Sequence, residues 1–219
     1  MASLVSVNIA VPHADPADPG ELTGIDKQPT TRPVRVSAPP AKGIGGLAGD
    51  TVCSTTVHGG PDQAVYAYAR EDLDDWAVAV GRPLRSGMFG ENLTTAGLDV
   101  TGALIGERWR IGDTVELEVT FPRIPCNTFA QWMAERGWVK RFTATATPGA
   151  YLRVVVPGEI RVGDPVTVVH RPDHHGVTIG VTFRALTLSP DLLPRVFTAE
   201  PLPDKLRQSA LRRAGERRK

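Results

Sequence analysis

A chain of 219 residues, 41% hydrophobic and 22% charged, is long enough to bury a core without disulfides or metals to staple it. Two cysteines are too few for a disulfide scaffold or an iron–sulfur cluster, and without a CxxC pair a structural zinc site is not indicated. The net charge of +1 hides a basic end: from Lys205 onward seven basic residues face one acid, which leaves the first 204 residues near −5.

Taken in chain order, "LVSVNIAV" puts Val5, Val7 and Ile9 on one face and predicts a strand. "RPVRVSAP" repeats the pattern briefly with Val34 and Val36. "REDLDDWAVAVG" predicts a short helix with Leu73, Trp76 and Val80 on its apolar side and Gly81 past its end. "DTVELEVTF" is the clearest strand, with Val115, Leu117, Val119 and Phe121 opposed to Thr114, Glu116, Glu118 and Thr120. "NTFAQWMAERG" predicts a second helix, capped by Asn127 or Thr128 and stopped by Gly137. "YLRVVV" and "DPVTVVH" add two strands. After about residue 172 the character changes. "GVTIGVTFRALTL" reads as strand by its β-branched residues and as helix by its second half; "SPDLLPRVF" and "LPDKLRQSALRRAG" carry helix signals.

Glycine and proline together make nearly a fifth of the chain, against roughly 12% in average usage. The pairs Gly49-Asp50, Gly112-Asp113 and Gly163-Asp164 mark tight turns. Short strands joined by such turns predict a mainly β fold, a twisted mixed β-barrel over residues 1–172, followed by a small helical appendage over residues 173–219. The basic tail suits contact with nucleic acid or an acidic lipid surface, or is a solvated terminal helix. The opening "MASLVSVNIAVPH" lacks the basic region of a secretory leader and is too short to span a membrane, so a cytoplasmic protein with reduced thiols is expected.

Four polar, glycine-rich stretches are candidates for chemistry. They are "GIDKQPTTRPV" with an exposed Lys27 near Thr30, "GLAGDTVCSTTVHGGPDQAVYAY" with His58, Gly59 and Gly60, "MFGENLTTAGLD" with Glu91, Asn92 and Thr94, and "FPRIPCNTF" with Arg123 and Cys126. Backbone amides in such turns approach anions closely, and Lys, Arg, Thr and Asn add donors. None is a Walker loop or a dinucleotide fingerprint, so ATP and NAD are not indicated. Taken alone, Cys126 reads first as an inert buried thiol and only second as the reactive atom, and a disulfide with Cys53 is not expected in a reducing compartment. Cys53, in the strand-like "TVCSTTV", reads as a packing residue.

Together "GLAGDTVCSTTVHGGPDQAVYAYAREDL", "FGENLTTAGLD", "IGDTVELEVTFPRIPC" and the earlier "IDKQP" resemble the MOSC domain family, over about residues 25–170. The last segment is similar to the three-helix appendage of YiiM-type members, which favours a helix for "GVTIGVTFRAL". The resemblance implies a twisted mixed β-barrel that binds the molybdenum cofactor, with Cys126 as the molybdenum ligand or sulfur-handling residue. At family level it also carries an association with pyridoxal phosphate. It implies reduction of N-hydroxylated compounds, such as hydroxylaminopurines and amidoximes, to amines, or alternatively a carrier or sulfur-transfer role through a Cys126 persulfide.

Such a reduction needs a cofactor for its two electrons. The expected cofactor-binding set is Lys27, Thr30, Gly59, Gly60, Glu91, Asn92, Thr94 and Arg123. His58 is expected either to donate a proton to the departing oxygen or to close its Gly-Gly turn by a hydrogen bond. The expected partners are a small N-hydroxylated substrate, separate electron-transfer proteins and a second copy in a homodimer, with no membrane and no nucleic acid.

Overall fold

The computed structural model describes residues 1–204, 206–208 and 211–212, so the basic tail expected from Lys205 onward lies mostly outside the described residues. The described chain runs through β1 (Ser3–Ala10), β2 (His13–Asp15), β3 (Asp18–Thr23), β4 (Lys27–Thr30), β5 (Val34–Val36), β6 (Val65–Ala69), α1 (Arg70–Val80), β7 (Leu93–Ala96) and β8 (Arg108–Ile111). It continues through β9 (Val115–Pro122), α2 (Asn127–Met133), α3 (Trp138–Thr145), β10 (Ala150–Val156), β11 (Gly158–Ile160), β12 (Val166–His170), α4 (Ile179–Thr187) and α5 (Leu193–Val196).

Strand residues that alternate between core and surface build one large sheet in the order β12-β8-β9-β10-β6-β7-β1-β4. All its ladders are antiparallel except β6 against β7, so the sheet is mixed. Two small antiparallel pairs, β2 with β3 and β5 with β11, complete the strands. The expected closed barrel is reduced to a curled sheet. The start of β1 meets the residues just before β12 through one bridge, Ser3 with Pro165, and through hydrogen bonds such as Leu4 N–H to the Asp164 carbonyl at 2.9 Å. That bridge stops short of a full closing ladder.

Two hydrophobic clusters fill the structure. The first lies against the sheet and under α4 and α5, and includes Leu4, Val7, Trp109, Val115, Leu117, Val119, Ile179 and Val196. The second is aromatic and is made by α1, α2 and α3 with Tyr66, Tyr68 and Phe89. Leu73 and Trp76 turn α1 toward it, and Gly81 ends the helix in the left-handed region at φ 69°.

Several local expectations change. In β1 the register shifts between Leu4 and Ser6, a bulge that puts Leu4 and Val7 in the core and leaves Val5 37% exposed, so Val5 and Val7 do not share a face. The second helix starts from Cys126, not Asn127 or Thr128, and stops at Ala134 at φ 54°. Gly137 then opens α3, which the sequence reading did not anticipate. The "TVCSTTV" run forms turns instead of a strand. The ambiguous "GVTIGVTFRALTL" is α4, capped by the Thr178 hydroxyl accepting from Val181 N–H at 3.1 Å. Among the described residues no helix is long and apolar enough to cross a membrane.

Candidate functional site

All four candidate stretches converge on an open cavity of about 270 Å³ lined by Cys126, Arg123, Lys27, Asp50, His58 and Asn92, among others. The end of β9 delivers the last of these stretches. Beyond Pro122 the chain stays extended to Cys126, at φ −120° and ψ 175°, and then turns into α2. Phe129 and Met133 on α2 are fully buried in the aromatic cluster, which pins the helix and holds the Cys126 thiol at the cavity wall. Cys126 is free and half-buried.

Arg123 is buried beside it. Its guanidinium lies 4.1 Å from the Phe129 ring centroid and 5.4 Å from that of Tyr66, and it donates to the Phe89 carbonyl. Among the described residues no carboxylate lies within 4.0 Å of it, so its charge is balanced by rings and a carbonyl dipole. Tyr66 and Tyr151 line the same wall. Burial pushes both phenols up, Tyr66 well above its ordinary range, although Arg123 pulls the other way, so they remain O–H groups at neutral pH. Tyr66 donates its proton to the Pro148 carbonyl at 2.8 Å.

The opposite charges of the site meet in a compact network. Lys27 Nζ lies 2.6 Å from Asp50 Oδ1 and 2.7 Å from Oδ2. Lys27 is not exposed as expected: its side chain retains 10% of its surface and that of Asp50 3%. The Asp50 carboxylate also accepts from the Ala10 amide and from the Asn92 side-chain amide, both at 2.8 Å. Asn92 is fully used, because Nδ2 donates to Asp50 and to the Asn8 carbonyl at 3.4 Å while Oδ1 accepts from Tyr66 N–H at 3.1 Å. It braces the cavity and has no spare donor for a ligand.

The other expected residues divide. His58 is exposed and Gly59 borders the cavity. Gly60 borders a neighbouring cavity closed by Phe121, Pro203 and Leu206, and its role is local: at φ 96° its N–H reaches the Ile44 carbonyl at 2.8 Å. Glu91 and Thr94 face inward and away from the cavity. The Glu91 carboxylate is completely buried, accepting from Gly87 N–H at 2.5 Å, Phe89 N–H at 3.0 Å and the Thr94 hydroxyl at 2.9 Å. It shapes the turn that presents the Phe89 carbonyl to Arg123. Thr30 sits on β4 opposite Val7 and lines a separate surface groove. Neither Arg141 nor Arg153 lines the cavity: Arg153 pairs with Asp62 at 2.7 Å and Arg141 with Glu135 at 3.5 Å.

Asp50, Tyr66, Tyr151 and Cys53 are among the cavity residues that escaped the sequence reading. Asp50 was visible only as part of a Gly-Asp turn. Tyr66 was visible only as part of the second glycine-rich stretch, and Tyr151 only as a strand residue. Cys53, read as packing, lines the same cavity as Cys126. Burial raises the Cys53 thiol, with Lys27 lowering it and Asp50 raising it.

This donor set has a definite chemical character. The charged residues lining it are Lys27, Arg123, Asp15 and Asp50, formally balanced, with Lys27 tied to Asp50 and Asp15 accepting from the Thr128 hydroxyl at 2.7 Å. Among the described residues no three His, Cys, Asp or Glu side chains cluster to hold a metal ion by themselves. What the cavity offers is a soft thiol next to a buried cation. Gly24 contributes bare backbone, since a side chain there would strike the Thr51 carbonyl 2.6 Å away.

The family described as the MOSC domain matches residues 54–167. YflK, an uncharacterised protein of Bacillus subtilis, is 32% identical over 170 residues, 77% of this chain and 74% of its own length. A Gibberella moniliformis protein named a reductase is 33% identical over 195 residues, 84% of this chain but 33% of that longer protein. The crystal structure of YiiM from Geobacillus stearothermophilus aligns with a TM-score of 0.78 at 26% identity, covering 97% of this chain and 99% of that one. The fold, the matched span and these relatives together place the chain in the MOSC domain family, as a YiiM-type member.

Proposed function

We propose that this chain binds the molybdenum cofactor and reduces N-hydroxylated compounds to amines. The observation that carries the reading is the pairing of a free, half-buried Cys126 with the buried guanidinium of Arg123 on one cavity wall. The residues fit the group. A thiolate is a soft donor suited to molybdenum, and a cation without a carboxylate partner suits the anionic part of a phosphorylated pterin. Cys126 would hold the metal and Arg123 the anion, while Asn92 and Asp50 keep the wall in shape. When bound, the cofactor supplies a two-electron couple and accepts one oxygen atom.

The overall change is R–NH–OH plus two electrons and two protons giving R–NH2 and water. The N–O bond breaks, nitrogen is reduced, and the electrons come from a separate electron-transfer protein. His58, exposed at the mouth, and Lys27, inside, are the groups of this chain that carry protons toward the departing oxygen. The fungal relative named a reductase supports a reductive role.

The test is molybdenum content together with hydroxylamine-compound reduction, using an artificial electron donor, for wild type and Cys126→Ser. Wild type should carry molybdenum and turn over; Cys126→Ser should fold and lose both. Undiminished turnover in the variant would end the proposal. A second reading, sulfur transfer through a Cys126 persulfide, is favoured by one observation, the second thiol of Cys53 in the same cavity. Releasable sulfur on Cys126 without molybdenum would establish it.

A further inference from the structure

The Lys27–Asp50 pair has a consequence for what the cavity selects. A lone lysine at a cavity wall draws anions. Here the ammonium contacts both carboxylate oxygens, and the carboxylate is held from behind by the Ala10 amide and the Asn92 side chain. At these separations, and with both side chains nearly buried, the two charges act on a third group as a dipole instead of as a net charge. An ammonium has three N–H donors, and the acceptors recorded for Lys27 among the described residues are the two Asp50 oxygens, so one N–H is left for a ligand. The nearby Cys53 thiol feels the two charges with opposite sign. The cavity lining also includes Leu22 and Val57, which are 59% and 51% exposed and present apolar surface.

We propose that Asp50 is a specificity-determining residue: by cancelling the charge of Lys27 it turns this wall into a neutral hydrogen-bonding surface that selects uncharged N-hydroxylated substrates over anionic ones. The substrate's oxygen takes the remaining Lys27 N–H, and its apolar body rests on Leu22 and Val57. The assignment rests on the reductase reading for the word substrate, but the charge selection is testable without turnover.

The test compares two probes of the same shape, benzamide and benzoate, titrated calorimetrically into the full-length chain as purified. Asp50→Asn frees the lysine charge and should shift the affinity ratio toward benzoate by about tenfold, an effect that salt weakens. Lys27→Met leaves a buried carboxylate without its cation and should shift the ratio the other way by a similar factor. A variant that merely loosened the fold would weaken both probes together and leave the ratio alone. A ratio that neither substitution moves, or a wild-type chain that does not bind benzamide, overturns the proposal. In parallel, phenylhydroxylamine and its 4-carboxylate are offered as substrates. Shifted probe affinities with no turnover of either would sink the reductase reading and leave the charge assignment standing; turnover of both with the same preference in wild type and Asp50→Asn would do the reverse.

Discussion

Phe89→Ala tests how the site is supported. Phe89 is fully buried, and its ring meets those of Tyr68 at 5.0 Å, Phe129 at 5.1 Å, Trp138 at 5.5 Å, Phe142 at 6.0 Å and Trp76 at 6.3 Å. All five contacts are edge-on at steep angles, the arrangement that ring quadrupoles favour. Truncation removes the ring's transfer energy and leaves a cavity that five rigid aromatic neighbours cannot close, so the loss belongs at about 4 kcal/mol. That is a large share of a domain stability of about 5–15 kcal/mol. Phe89→Leu, which keeps most of the volume, should lose roughly 1.5 kcal/mol or less. Urea unfolding at neutral pH, with an unchanged slope, measures both. The same substitution should also reduce anion binding in the cavity. Phe129, which supports the Arg123 guanidinium at 4.1 Å, packs on Phe89, and the Phe89 carbonyl anchors Arg123. A Phe89→Ala loss below about 1 kcal/mol, or one equal to that of Phe89→Leu, would refute the view that the aromatic cluster is rigid and carries the site.

Two further outcomes follow from local physics. Asp72, in the first turn of α1, has its carboxyl raised to about 6 by burial and by repulsion from Asp75, Asp99 and Glu71, so its ionised form costs stability above that pH and the cost fades as pH falls toward 3.8. Asp72→Asn should therefore stabilise the chain by about 1 kcal/mol at pH 8, after discounting for solvent access and for a lost charge at a helix start, and should match wild type near pH 4; thermal or urea unfolding across pH checks the convergence. Gly87 sits at φ 82°, and a methyl group there would overlap the Lys27 carbonyl, so Gly87→Ala should cost about 3 kcal/mol or more by the same unfolding measurement and displace Lys27.

Local rules carried much of the fold. The period-2 runs became β1, β9, β10 and β12, the Leu73 and Trp76 spacing became α1, and the three Gly-Asp turns have glycines at φ 82°, 59° and 92°. The rules fail where a partner distant in sequence decides. Val5 leaves its predicted face because pairing with β7 inserts a bulge. Gly137 begins a helix because Trp138 and Phe142 find an aromatic cluster gathered from five other segments. At the site, Cys126, Arg123, Lys27 and His58 were legible as residue types suited to bind or react, and the cavity does collect them. What the sequence did not reveal is which polar groups turn toward a ligand and which toward one another. Glu91, Asn92 and Thr94 look like ligand donors in one dimension, yet Glu91 spends its oxygens on Gly87, Phe89 and Thr94, and Asn92 spends its amide on Asp50, Asn8 and Tyr66. A buried polar atom must be satisfied by whichever partner lies within about 3 Å, and in a curled sheet that partner is set by strand register. Asp50 illustrates the point: its partners are 40, 23 and 42 residues away, on β1, on β4 and just before β7. Because β1 pairs with both β4 and β7, the same ladder that orders the strands brings Ala10, Lys27 and Asn92 around one carboxylate. The charge balance of the cavity is thus a product of sheet topology, and any change that shifts β1 by one residue would dismantle it along with the core.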